Sequence, residues 1–264
     1  MIQNSSSTEI RYVGLDVHKR EITACIVHAG GIHKSTTRFP LTRRRLQTFA
    51  KWTLRPTDHV ALEATTNSWA VADVLRPHVA RVVVSNPMAT KAIAQAKVKT
   101  DKVDAAVLAH LLRCDYLPDV WQPDQQTQRM RQLTGRRAAL VQDRTAIRNR
   151  IHSVLAMRLM ETPDWLFSIS GVQWLEQQVQ CGGLDEEARL LITRDLTLMD
   201  QLQEQLDCFD ALLAQHAWQD ERVRLLMTLP GVDVTVAEAL LAALGDITRF
   251  QTPQQAASYL GLVP

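Results

Sequence analysis

The chain has 264 residues, of which 46% are hydrophobic and 22% charged, and this composition excludes an intrinsically disordered protein. The length is sufficient for a buried core and for two or three domains. No apolar run approaches membrane-spanning length, and the polar start Met1–Glu9 lacks the apolar core of a secretory signal. We therefore expect no membrane segment, a cytoplasmic location and free thiols at the four cysteines.

The net charge of +2 hides opposite charges in two parts of the chain. Residues 1–160 contain 25 Lys and Arg against 12 Asp and Glu, whereas residues 161–264 contain 5 against 16. A basic segment of this size is typical of a protein that contacts a polyanion such as nucleic acid. The alternative is an accidental distribution of surface charge.

The first 118 residues predict an α/β domain. Short β-branched runs, one of them followed by the turn residues Gly30 and Gly31, predict three strands, and a helix, a strand, a helix, a strand and two helices follow. The predicted elements are Tyr12–Asp16, Glu21–His28, Ile32–Phe39, Leu41–Leu54, His59–Ala64, Ser68–His78, Arg81–Ser85, Met88–Ala96 and Asp101–Arg113. This order indicates an RNase H-like mixed sheet with flanking helices, a fold that polynucleotidyl transferases share with actin-like kinases.

The sequence pattern changes after the Pro118–Pro123 linker, where two long helical segments are predicted. In Gln125–Met160 apolar residues recur every seven positions, and Leu184–Ala217 repeats the pattern. The two segments are separated by a connection over Trp165–Gly183. They predict an antiparallel helical hairpin or an oligomeric coiled coil, and a smaller helical segment follows from Arg222.

The two long segments carry opposite charges. The first contains eight arginines and one acid, and the second contains acids from Asp185 to Asp210. Charge complementarity between the helices is one explanation, and nucleic-acid contact by the arginines is the other. The candidate contact residues on the first segment are Arg136, Arg137, Arg144 and Arg148.

Two acids stand at the ends of predicted core strands, Asp16 after the first and Glu63 in His59–Ala64. The first and fourth strands lie side by side in this fold, so the two carboxylates should converge. Asp101 and Asp104 stand three apart at a predicted helix start and share one face. Four such carboxylates would repel one another unless Mg²⁺ or Mn²⁺ neutralised them, and two ions of this kind support phosphodiester chemistry. The alternative is a set of separate surface acids.

Basic residues near these acids are suited to phosphate contact, although each is also an ordinary solvated charge. They are His18, Lys19, Lys97, Lys99 and Lys102. His18 is also typical of a plain turn residue. Further along, Leu229–Val232 followed by Ala237–Leu244 is similar to a helix-hairpin-helix, in which Gly231 would let backbone N–H groups approach a phosphate; a plain helical turn is the alternative.

Three segments form a distinctive set of acidic motifs: Gly14–Lys19, Leu62–Thr65 and Lys99–Ala105. Together with Leu229–Val232 and Ala257–Pro264, they resemble the DEDD transposases of the IS110 insertion-sequence family over about residues 11–264. The resemblance implies that Asp16, Glu63, Asp101 and Asp104 are catalytic metal ligands. It also implies Mg²⁺-dependent DNA recombination in the bacterial nucleoid, with members guided by a structured RNA.

The resemblance implies three parts: a RuvC-like catalytic domain over 10–118, a coiled-coil region used in homo-oligomer assembly over 124–217, and a partial transposase domain over 222–264. Family members continue past the Gly-Leu-Val-Pro motif into a stretch with a serine nucleophile, a role that Ser258 does not take. Because the sequence given stops at Pro264, we expect a truncated transposase that binds metal and nucleic acid without completing strand exchange.

Three other functions remain open at this stage. A structure-selective nuclease such as a junction resolvase would share the acidic cluster, and a non-catalytic nucleic-acid-binding remnant would share the basic residues. An actin-like ATPase is the weakest alternative, because that class needs Gly-rich phosphate loops after its strands and only Gly30 and Gly31 are available.

Overall fold

The computed structural model describes residues 9–31, 34–93, 101–181 and 183–262. The chain separates into two compact units, one ending at Gln122 and the other beginning at Pro123. The predicted boundary near residue 222 stays a prediction. Within the described residues, no helix combines the length and apolar character needed to cross a membrane.

The first unit is built on a five-stranded mixed sheet in the order β3-β2-β1-β4-β5. β1 pairs antiparallel with β2 and parallel with β4, which places it at the sheet centre. This order confirms the predicted RNase H-like sheet. The strands are β1 (Arg11–Val17), β2 (Glu21–His28), β3 (Lys34–Pro40), β4 (His59–Glu63) and β5 (Arg81–Ser85).

Helices cover both faces of this sheet, because the central strands carry apolar side chains on both faces. Val13 and Leu15 pack with residues of α1 and α2 on one face, whereas Tyr12 and Ala61 pack with α4 on the other. The helices are α1 (Arg43–Trp52), α2 (Ser68–Leu75), α3 (Pro87–Ile93) and α4 (Asp101–Arg113), with a 3-10 turn at Arg76–His78. The predicted end of the third helix, 94–96, lies outside the described residues.

A buried ion pair holds the N-terminal end of β1. Arg11 donates from Nε and Nη2 to the carboxylate of Asp58 at 2.8 and 2.6 Å, and Asp58 is fully buried. Asp58 also accepts a hydrogen bond from the backbone N–H of Arg55 at 2.8 Å. These bonds fix the loop before β4 against the start of β1, which sets the register between the two strands.

The second unit is helical. Its helices are α5 (Gln125–Ala156), α6 (Ile169–Gln180), α7 (Glu186–Gln219), α8 (Glu221–Leu226), α9 (Val234–Leu244) and α10 (Pro253–Tyr259). α5 and α7 form the predicted antiparallel pair. The heptad positions of both helices are buried and at most 4% exposed: Leu140, Ile147, Leu206 and Leu213. The two apolar repeats therefore pack against each other within this chain.

α6 occupies the segment that the sequence had suggested was only a connection. Ser168 caps this helix by accepting a hydrogen bond from the N–H of Gly171 at 3.2 Å, and Leu175 is fully buried against α5 and α7. An added Cβ at Gly171 would lie 2.3 Å from the carbonyl oxygens of Trp165 and Leu166. Glycine is therefore required where α6 begins against the preceding loop.

Candidate functional site

Asp16 and Glu63 lie next to each other at the C-terminal ends of the central strands β1 and β4. We call this end of the sheet, defined by these two residues, the acidic edge. The parallel register of β1 and β4 pairs Leu15 with Leu62, so the following positions, Asp16 and Glu63, are neighbours on strands about 4.8 Å apart. Both residues are partly buried, and the side chain of Asp16 is 18% exposed. Two carboxylates this close repel each other unless a cation or proton intervenes.

Both acids face the side of the sheet that α4 covers. Side chains alternate along a strand, so Asp16 shares its face with Gly14, and Glu63 shares its face with Ala61. Gly14 lies directly against the α4 backbone, because an added Cβ would stand 2.0 Å from Ala105 O. Gly14 is not among the predicted site residues, although a glycine inside a strand often marks a close backbone approach.

α4 runs opposite to β1 and therefore brings its first turn toward the acidic edge. Tyr12 packs against a cluster that contains Leu108 and Leu112 in the second half of the helix, whereas Gly14 lies against the backbone of Ala105 and Ala109 nearer its start. Moving from Tyr12 to Asp16 thus leads toward Asp104 and Asp101. Asp104 is partly buried in this first turn.

The described side chains do not complete a metal centre by themselves. Among them, no three Asp, Glu, His or Cys groups lie close enough to hold an ion. Asp101 begins α4, but its side chain lies outside the described residues, as does that of Lys102. Lys97 and Lys99 also lie outside them. The structure thus brings Asp16 and Glu63 together, points α4 toward them, and leaves the four-carboxylate site a prediction.

The turn after β1 places His18 beside the acidic edge. His18 Nε2 lies 3.0 Å from Asp16 Oδ2, and its side chain is 48% exposed. The backbone N–H of His18 donates to the carbonyl oxygen of Glu21 at 2.9 Å, which closes the turn that leads into β2. Lys19 is exposed in this turn. Its position suits a phosphate near Asp16, and the predicted contact stays a prediction.

Ion pairs between α5 and α7 account for much of their opposite charge. Arg150 Nη2 lies 2.7 Å from Asp195 Oδ1, and Arg137 forms a two-pronged pair with Asp210. Hydrogen bonds from Arg158 and from the N–H of Ala188 lower the pKa of Asp185 to about 2. These contacts favour charge complementarity as the explanation for the residues involved.

Two other candidate contact residues on α5 also have partners within the second unit. Arg144 donates to Gln203 Oε1 at 2.6 Å, and the Arg148 guanidinium lies 5.1 Å from the centre of the Phe167 ring. Burial, assisted by the charge of Arg144, lowers the pKa of Arg148. Arg136 is exposed. Of the four arginines chosen from the sequence, Arg136 therefore has the position best suited to an external phosphate.

The segment around Gly231 forms a turn between α8 and α9. Gly231 has a φ of 83°, a left-handed conformation that favours glycine, and it is exposed. Asp233 then caps α9 by accepting from the N–H of Val236 at 2.8 Å. This turn between two helices fits both the predicted helix-hairpin-helix and the plain helical turn, and its contact with DNA stays a prediction.

An aromatic and arginine cluster at the end of α9 was not predicted. The Arg249 guanidinium lies 4.1 Å from the centre of the Phe250 ring and 4.2 Å from that of Tyr259, and the two rings also contact each other. Arg131 donates to the carbonyl oxygens of Ala242 and Ala243 at 2.7 and 2.8 Å. Burial acts to raise the pKa of Tyr259, but hydrogen bonds from the two arginines outweigh it and lower that pKa. The cluster joins α5, α9 and α10.

Comparison with known proteins identifies the family. Residues 13–158, more than half of the chain, match the IS110 DEDD transposase family. The chain belongs to the IS110 family of transposases. Residues 223–264 also match the family described as "Transposase IS116/IS110/IS902 family". Both assignments agree with the resemblance drawn from the acidic segments.

Individual relatives of the chain align over different shares of their length. The protein y4qE of Sinorhizobium fredii is 30% identical over 171 residues, which cover 64% of this chain and 40% of y4qE. Pilin gene-inverting proteins of Moraxella bovis and Moraxella lacunata are 26% and 25% identical over 266 residues. Those alignments cover 96% of this chain and 72% of each relative.

Proposed function

We propose that this chain acts in DNA transposition by cleaving phosphodiester bonds at the acidic edge of the first unit. The observation that carries the proposal is the adjacent placement of Asp16 and Glu63 on parallel central strands. Membership of a transposase family supports the reaction class. The name of the Moraxella relatives also supports it, because inverting a gene requires DNA to be broken and rejoined.

The proposed metal ligands are Asp16, Glu63, Asp101 and Asp104. A donor set made only of carboxylate oxygens fits a hard divalent cation, with Mg²⁺ or Mn²⁺ as the expected ions. When bound, such ions lower the pKa of an attacking water or hydroxyl and stabilise charge on the leaving oxygen. Asp16 and Glu63 would hold this charge in a fixed position on the rigid sheet, and the first turn of α4 would close the site.

His18 and Lys19 would then contact the DNA backbone beside the cut phosphate. Their turn lies directly after β1, and His18 already approaches Asp16 within 3.0 Å. Arg136 and the Gly231 turn would contact nucleic acid from the second unit. The proposal extends to a structured guide RNA, which is supported only by the family resemblance and by exposed basic residues such as Arg136.

The oligomeric part of the proposal rests on α7. Its heptad core is buried against α5, but a second line of leucines faces outward: Leu191 is 50% exposed, Leu198 44% and Leu212 45%. These residues stand at multiples of seven and form a stripe on one helix face. A second copy of the chain would cover this stripe, and sedimentation of a variant with all three leucines changed to glutamine tests it. An unchanged oligomeric state would contradict the assignment.

The central experiment measures metal binding and DNA cleavage separately. Asp16→Asn and Glu63→Gln should each weaken Mn²⁺ binding by more than about tenfold in calorimetric titration, because each removes a charged ligand. Each should also abolish Mg²⁺-dependent cleavage of element-end DNA. Asp115→Asn is the matched control, because Asp115 is exposed and lies beyond the end of α4.

Two outcomes would contradict the proposal. Unchanged Mn²⁺ binding in both site variants would remove the metal centre, whatever the effect on cleavage. Equal Mg²⁺-dependent cleavage of any branched DNA, without preference for element ends, would instead assign the chain to structure-selective nucleases.

A further inference from the structure

The sequence contains a run of three arginines, Arg43 to Arg45, that the acidic site does not use. They form the first turn of α1, and all three are exposed. Within the described part of the chain, none of their side chains forms an ion pair or a hydrogen bond. Thr42 caps the helix through the backbone N–H of Arg45, so the side chains are not needed for capping.

This position is electrostatically unfavourable for arginine. The N-terminal end of a helix carries partial positive charge, so acids stabilise it and cations destabilise it. The first turn of α1 contains no acid to offset the three guanidinium groups. By contrast, nearby Arg38 on β3 is neutralised by an ion pair with Glu21. Stability therefore does not explain the run.

The sheet topology places these arginines at the same edge as the candidate carboxylates. β3 runs parallel to β1, because both are antiparallel to β2, and Pro40 at its end pairs with Glu21. The N–H of Leu41 donates to the carbonyl oxygen of Arg20 at 2.8 Å, which ties the start of α1 to the turn after β1. The first turn of α1 thus adjoins the turn that follows Asp16.

The distance suits a single DNA strand. β1 and β3 are separated by two strand spacings, about 10 Å. Phosphates along one strand of B-form DNA advance about 3.4 Å each along the helix axis. In the plane of the sheet this separation corresponds to about three nucleotides. Because α1 covers the face opposite to the two acids, the DNA backbone would pass around the end of the sheet to reach it.

We infer that Arg43, Arg44 and Arg45 bind the phosphates of the DNA that flanks the cut site. The inference rests on the proposed function, since it takes the acidic edge as the place where DNA is cut. DNA is favoured as the occupant because the start of α1 is hydrogen-bonded to the turn that follows Asp16, at the same end of the sheet. The contact is to the backbone and is independent of base sequence.

The test compares two triple variants of the full chain that lose the same net charge. One is Arg43→Ala/Arg44→Ala/Arg45→Ala. The control is Lys51→Ala/Arg76→Ala/Arg81→Ala, whose three residues are also exposed. All three lie toward the opposite end of the sheet. Arg81 starts β5, and Arg76 precedes it. Lys51 is near Thr53, whose carbonyl oxygen accepts a hydrogen bond from Arg11 at the start of β1.

Binding of a fluorescein-labelled DNA duplex is measured by anisotropy over a range of salt concentrations without divalent ions. Each phosphate contact contributes about 0.9 to the slope of log affinity against log salt, so the arginine variant should lose about 2 to 3 from that slope. The control should lose less than about 1. The arginine variant should melt at or above the wild-type temperature, since alanine removes an unfavourable interaction with the helix end.

An unchanged slope in the arginine variant, or equal losses in both variants, would overturn the inference. Loss of affinity for a single-stranded RNA of the same sequence, with DNA binding retained, would overturn the assignment to DNA. If the wild-type chain binds and cleaves DNA while the arginine variant matches it, only this inference fails. If the wild-type chain binds no DNA, the proposed function fails with it.

Discussion

Replacing Gly14 by alanine tests whether the close approach of α4 to β1 builds the candidate site. The added Cβ would lie 2.0 Å from Ala105 O and 2.6 Å from Ala109 N, and both are backbone atoms that cannot rotate away. Ordinary van der Waals contact begins at 3.4 Å, so α4 must withdraw by about 1.4 Å or β1 must bend. Overpacking of this kind destabilises by about 3 kcal/mol.

The same displacement should affect function beyond its effect on stability. α4 carries Asp101 and Asp104, and a misplacement of about 1 Å in a catalytic group lowers rates by about 100-fold. We expect Gly14→Ala to lower the melting temperature in calorimetry and to weaken Mn²⁺ binding at temperatures where the variant is still folded. Gly135→Ala is the matched control, because nothing lies within 4 Å of its added Cβ.

The control should move in the opposite direction. Gly135 lies inside α5, where alanine is preferred over glycine by about 0.5–1 kcal/mol, so Gly135→Ala should raise the melting temperature slightly and leave metal binding unchanged. If Gly14→Ala melts like the wild-type chain and binds Mn²⁺ equally well, the packing of α4 against β1 does not determine the geometry of the acidic edge.

Two further predictions concern ion pairs. Asp58→Ala should destabilise the chain by about 3–5 kcal/mol in calorimetry, because it leaves Arg11 buried without its charge partner; a loss below about 1 kcal/mol would contradict this. Arg158→Ala should raise the pKa of Asp185 from about 2 toward 3.8, measured by carboxyl NMR titration, whereas Arg150→Ala should leave it unchanged. Because the folded-state pKa of this carboxyl is lowered, its stabilising effect is present above pH 4 and is lost as the pH falls toward 2. An unchanged Asp185 titration in Arg158→Ala would refute the assigned cause.

The acidic edge illustrates what the sequence could establish. Alternation along a strand assigns Asp16 and Gly14 to one face, and the order of elements places the first and fourth strands side by side. These two rules predict that Asp16 and Glu63 approach each other, whereas the register that makes them neighbours is seen only in the structure. They say nothing of how closely a helix approaches, which depends on the missing Cβ at Gly14 and is visible only once α4 has been placed.

The helical unit shows where such reasoning fails. Heptad spacing identified α5 and α7, but a repeat of apolar residues does not specify whether its partner lies in the same chain. Pairs such as Arg150 with Asp195 depend on the register between two helices, which no local pattern encodes. α6 was missed because its buried positions, such as Leu175, are few and its start depends on a tertiary contact at Gly171.

The boundary between the two units lies at residue 122, and the positive charge is therefore assigned differently than by a division at residue 160. Residues 1–122 contain 17 Lys and Arg against 10 Asp and Glu, a net charge of +7, whereas residues 123–264 contain 13 against 18, a net charge of −5. The arginines of α5 are therefore outnumbered by acids within their own unit, and two of them, Arg137 and Arg150, are neutralised by acids of α7. Long-range attraction of a polyanion consequently depends on the first unit. Its exposed arginines at the start of α1 lie at the end of the sheet where the candidate carboxylates need DNA to arrive, so part of the attractive charge and the proposed chemistry share that end.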